Sequence, residues 1–154
     1  MAILGWGKPT LEHTESVGGA PGESATWKKL PVAKKDTTKL TPTAGEEIKA
    51  EEEGGDVVDS RSGKNSSVLE FDIFVKKGEA RPFDDIDGVI AGEHAFRLTP
   101  EDEECEGFQI DRASLRAEES YTAADGRTIH YVATALKPKE GRMVKPYTKA
   151  KGAS

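Results

Sequence analysis

Ser67-Val68-Leu69-Glu70-Phe71-Asp72-Ile73-Phe74-Val75 alternates at its centre, with Leu69, Phe71, Ile73 and Val75 apolar at every second position and Glu70 and Asp72 between them. A strand collects such residues on one face, whereas a helix scatters them around its axis. These four residues are the core candidates, each contributing about 1.5 to 3 kcal/mol if fully buried. Upstream, residues 46–53 are mostly charged, with Ile48 and Ala50 two apart. Gly54-Gly55 interrupts that segment as a bulge would, and Val57 and Val58 resume it. A polar loop over residues 59–66 then turns the chain back. The expectation is one long hairpin over residues 46–77 with an apolar face and an acidic face.

Outward from the hairpin, residues 82–92 predict a short helix. Asp84 is placed to cap it, Phe83, Ile86, Val89 and Ile90 share one side, and Gly92 stops it. Gly88 weakens that helix by about 1 kcal/mol relative to Ala. Residues 94–98 alternate again as a strand. The acidic loop over residues 99–107 leads to strands at 108–110 and 115–121, and Asp125-Gly126 signals a turn into a strand over 127–136. Toward the start, residues 27–39 read as an irregular or edge strand because of Pro31, ended by the turn residues 41–45. Residues 1–25, rich in Gly and Pro and bracketed by Trp6 and Trp27, read as an N-terminal arm. Residues 139–154, basic and without period, read as a C-terminal arm. No internal repeat of 20 residues or more is found. The expected architecture is therefore a single, mainly β domain, an antiparallel β-sandwich or barrel with long hairpins, one short α-helix and two arms.

Composition sets the bounds of this reading. Leu, Ile, Val and Phe make up 29 of 154 residues, just under the roughly 20% below which a charged chain is suspected of disorder. No apolar run reaches the roughly 18 residues of a membrane span, and the start lacks a basic region followed by an apolar signal, so a soluble, unexported protein without membrane contact is expected. Cys105 is the one cysteine, which rules out an intrachain disulfide and leaves a thiolate zinc site too few ligands. A self-sufficient core is doubtful, and something else must stabilise the chain.

The net charge of -6 is unevenly placed. Residues 1–45 hold 6 basic and 4 acidic side chains, residues 46–106 hold 7 and 19, and residues 107–154 hold 9 and 5. An acidic centre between basic ends fits neutralisation within the chain, an acidic linker, or basic segments meeting the acidic body of a neighbour. It disfavours a nucleic-acid reader, which wants a net basic surface.

Catalytic motifs are missing. His13, His94 and His130 fall on different elements, outside any HxxxH, HExxH or HxE spacing. The run Asp84-Asp85-Ile86-Asp87-Gly88, aligned as a calcium loop on its glycine, puts Phe83 and His94 where carboxylates are needed. Residues 18–24 lack the lysine of a phosphate loop, and no GxSxG elbow occurs. Glu103, Glu104 and Glu106 around Cys105 disfavour a thiolate. The few aromatic residues make a sugar platform unpromising. No cofactor, metal or catalytic residue is assigned, and an enzyme is the last of the function classes.

The chain resembles the phage-type tail tube proteins, as found in phages and prophages of Bacteroides-like hosts. The likeness runs over about residues 25 to 147 and rests on the phrases Glu53-Gly54-Gly55-Asp56-Val57-Val58-Asp59, Leu69-Glu70-Phe71-Asp72-Ile73-Phe74-Val75, Ala123-Ala124-Asp125-Gly126 and Thr134-Ala135-Leu136-Lys137-Pro138. It implies a structural virion protein that forms hexameric rings. These stack into a tube within the virion tail, assembled in the bacterial host cytoplasm. Partners would be further copies of the chain and other tail proteins, with genomic DNA passing through the channel without specific binding. In that family long hairpins line an acidic lumen, and like charge between wall and phosphates lets the genome slide. The lumen candidates are Glu47, Glu51, Glu53, Glu70 and Asp72, and the inter-subunit arm candidates are Trp6, Met143 and Tyr147. The inner tube of a contractile injection system fits equally. A tail terminator, a capsid decoration protein and a monomeric ligand-binding β-barrel are the other readings.

Overall fold

The structure is a computed structural model, and it describes residues 4–22 and 26–148. It is mainly β, an antiparallel curled sheet in the form of a half-barrel. The strands are β1 (Thr10–Val17), β2 (Ala20–Pro21), β3 (Lys28–Lys29), β4 (Lys39–Thr43), β5 (Glu47–Glu51), β6 (Val57–Ser62), β7 (Ser66–Phe74), β8 (His94–Thr99), β9 (Gly107–Thr122), β10 (Gly126–Ala135) and β11 (Lys145–Tyr147). The main sheet runs β2-β1-β8-β9-β10-β7-β4. β3 extends the outer edge of β1, and β11 pairs with the start of β9 on the side where β10 pairs further along. β5 and β6 form a separate two-stranded ribbon.

The alternation around Leu69 places β7 in the interior of the main sheet, between β4 and β10. Leu69, Phe71 and Ile73 are buried and pack with Phe96, Ile110, Leu115, Ile129 and Tyr131 in one core. Val75 lies past the end of the strand, where its amide donates to the Arg127 carbonyl, and it is 37% exposed, so it falls outside the core expected of it. The expected hairpin over 46–77 is also corrected. Gly54 and Gly55, both at positive φ, form the turn itself, and Asp59 to Ser62, expected as a loop, belong to β6. β5 pairs with β6, and β7 pairs elsewhere. Two adjacent glycines free to adopt φ above zero make a tight turn at less cost than a bulge.

No helix forms among the described residues, so the short helix over 82–92 is corrected as well. Ile86 and Val89 exchange backbone hydrogen bonds of 3.0 Å across Asp87-Gly88, whose φ angles are 51° and 88°. That is the primed turn an Asp-Gly pair favours, and it overrides a weak 3.6-residue period. The Asp85 carboxylate, where Asp84 was the expected cap, accepts from the Gly88 amide at 2.9 Å. Phe83 and Ile90 are buried while Ile86 and Val89 stand in solvent.

Both expected arms contribute strands to their own body. β1 sits between β8 and the β2 and β3 edge, with Leu11 buried. β11 sits on β9. Residues 1–3, 23–25 and 149–154 of those arms lie outside the described residues. Residues 41–43, expected to end a strand, belong to β4, which tolerates Pro42 because it is the last strand of the sheet.

Candidate functional site

Three surfaces of the body carry its unusual chemistry. The first is the polar face of β7 and β10. Cross-strand register sets His130 opposite Asp72 and beside Glu70. His130 Nδ1 lies 2.5 Å from the Asp72 carboxylate, and Nε2 lies 3.4 Å from Glu70, which also meets Lys39 at 3.4 Å. Partial burial is the largest single influence on His130 and lowers its pKa, but the hydrogen bonds and charges of Asp72 and Glu70 together outweigh it and raise the pKa above the ordinary 6.5. Glu70 and Asp72 thus share a sheet face, as the alternation implies, yet they are half engaged by a cation of their own chain.

The second surface is the β5–β6 ribbon. Every residue of both strands is exposed, and the ribbon packs against no other strand. Glu47, Glu51 and Glu53 stand here, apart from Glu70 and Asp72, so the five lumen candidates fall into two groups. Lys49 approaches Glu47 at 3.9 Å. The ribbon leaves the body through a narrow neck in which the Gly63 amide donates to the Glu46 carbonyl at 2.7 Å and the Gly45 amide donates to Asn65 at 3.0 Å. A Cβ at Gly45 would meet the Gly63 carbonyl oxygen at 2.2 Å, so glycine is required there.

The third is a groove between the segment around Pro9 and the stretch from Val32 to Asp36. It encloses about 510 Å³ and has an apolar floor of Pro9, Val32 and Ala33 under Lys8, Lys34 and Lys35. Lys34 is held at 2.8 Å from Asp125. A smaller hollow of about 210 Å³ adjoins it through Lys8, Pro9, Val32 and Ala33 and reaches Thr99. Thr99 is buried, and its hydroxyl has no hydrogen-bond partner among the described residues.

Of the arm candidates, Trp6 is 72% exposed. Met143 packs half-buried against the core. Tyr147 lies in β11, with the Arg97 guanidinium 5.2 Å from its ring centre and 4.4 Å from that of Trp27. Glu12 binds the same guanidinium at 3.0 and 3.2 Å, and Lys145 pairs with the buried Asp111. Met143 and Tyr147 therefore contact the core and the sheet of their own chain.

Sequence reasoning missed the groove and the Arg97 cluster. Both join residues apart in the chain: the pairing of β1 with β3 brings the two sides of the groove together, and the pairings of β1 with β8 and of β11 with β9 assemble the Arg97 cluster. A pair of a buried and a half-buried histidine is further removed: His94 Nε2 donates to the Ala91 carbonyl at 3.1 Å, which leaves Nδ1 to accept from the half-buried His13 at 3.2 Å. Phe83 sets its edge against both rings. Among the described residues no three His, Cys, Asp or Glu side chains converge as metal ligands. Cys105 is a free, half-exposed thiol.

No protein-family model matches the chain, and no curated protein matches it.

Proposed function

We propose that this chain is a non-enzymatic structural subunit of a tail tube, building stacked rings around a channel through which DNA passes. The observation that carries the reading is the β5–β6 ribbon, exposed on both faces and packed against no other strand of its own chain. A lone two-stranded ribbon is marginal in water, so a chain that keeps one is built to lay it on a neighbour. The open ends of the main sheet support the same reading. β4 at one end and β2 with β3 at the other present backbone groups that further copies can pair. Glu70 and Asp72 face the channel in this proposal, where their negative charge keeps phosphates from sticking. Glu47, Glu51 and Glu53 follow on the ribbon as it leaves the wall toward the next subunit. The inner tube of a contractile injection system is the same proposal with a sheath around it.

Negative-stain microscopy of the purified protein tests this. Rings or tubes with a central hole are the expected result, and a monomer that persists at high concentration would sink the proposal.

A further inference from the structure

We infer that the basic groove over Pro9, Val32 and Ala33 is the socket for the tip of the β5–β6 ribbon of a second copy. The inference rests on the assembly reading above and adds to it which surfaces meet. Three observations converge.

The first is charge. Residues 46–62 carry seven carboxylates against two cations. Glu51, Glu52, Glu53 and Asp56 at the tip take part in no ion pair among the described residues. Lys8, Lys34 and Lys35 line the groove with one carboxylate, Asp36, and among the described residues Lys8 and Lys35 have no ion-pair partner either. Opposite unpaired charges on two separate exposed surfaces complement each other between copies, and such complementarity sets register.

The second is shape and apolar character. Val57 and Val58 follow the tip directly and are 51% and 56% exposed, while Val32 in the groove floor is 49% exposed. Val57 and Val58 are strand neighbours on opposite faces, so docking through one face buries one of them against Val32. At about 510 Å³ the groove lies within the roughly 300–1,000 Å³ of sites that hold compact ligands, enough for a turn of a few residues.

The third is that the ribbon has no packing partner among the other strands of its own chain, so the occupant is another subunit's ribbon.

Charge reversal at both surfaces tests the docking. The socket variant K8E/K35E and the tip variant E51K/E52K/E53K alter exposed side chains, so each is expected to melt like the wild type. Sedimentation velocity is expected to show self-association weakened at least tenfold in each variant alone. A mixture of the two reversed copies regains assembly, because each supplies the complement the other now needs. Zero-length coupling of carboxyl to amine in a mixture of isotopically light and heavy wild-type protein is expected to give mixed-isotope links from Lys8 or Lys35 to the tip. Assembly of both variants at wild-type strength, or links confined to single chains, overturns the docking while leaving the tube reading standing. A wild-type protein that never associates overturns both.

Discussion

His13 and His130 show how the same side chain acquires opposite tendencies from its surroundings. His130 is drawn toward the charged form by Asp72 and Glu70. Its folded-state pKa lies above the unfolded value, so the stability it contributes is full below about pH 6.5 and is lost as pH rises through the raised pKa. Burial is the main reason that the pKa of His13 falls to about 4, with the charges of His94 and Lys28 adding to it. Between about pH 6.5 and 4 the unfolded chain binds a proton at His13 that the native state refuses, so that contribution to stability declines as pH falls through this window. In an NMR titration of the ring protons, His130 should titrate above 6.5 and His13 near 4. Urea unfolding of wild type and His130→Gln should differ more at about pH 5.5 than at about pH 8.5. At the same scale, Phe71→Ala should cost about 3 to 5 kcal/mol because Phe71 is fully buried. Val75→Ala should lie near the roughly 0.5 kcal/mol of surface changes, and chemical denaturation of the two variants checks the contrast.

Among the elements, the segment over residues 82–92 and the β5–β6 ribbon are the most informative. Gly88 has a φ of 88°, and a Cβ there would come within 2.8 Å of the Ala117 carbonyl oxygen. Gly88→Ala should therefore destabilise by more than about 1 kcal/mol. A helix over the same residues would have gained about that much from the change, so the sign of the shift in a thermal melt reads out the backbone directly. The ribbon poses the converse case. Because it packs against no other strand and its ends meet at Gly45 and Gly63, replacing residues 46–62 by a short Gly-Ser link should leave the body's melting temperature within a few degrees. The same excision should abolish assembly, which sedimentation of the variant checks. Alternation made β7 legible because its inward face is continuous. It misplaced the partner of β7 because a hairpin was assumed between neighbours in sequence, whereas β7 pairs with β4 and β10.

At the scale of the whole molecule, a chain poor in large aliphatic residues folds by drawing its ends into the sheet. β1 and β11 come from the segments that composition marks as arms, and Met143 reaches the core from the second of them. Their residues alternate poorly, and the interactions that hold them, Arg97 between Trp27 and Tyr147 and Lys145 on Asp111, are long-range. Local pattern carries no trace of such contacts. By itself, the sequence determined the β character, the buried face of β7, the Asp125-Gly126 turn and the division of charge, because each follows from residue type and a two-residue period. Only the tertiary structure decided which strands pair, that Asp87-Gly88 turns rather than coils, that three lysines gather around Pro9, Val32 and Ala33, and that the acidic ribbon packs against no other strand. Those outcomes depend on register between distant strands, which a linear pattern does not encode.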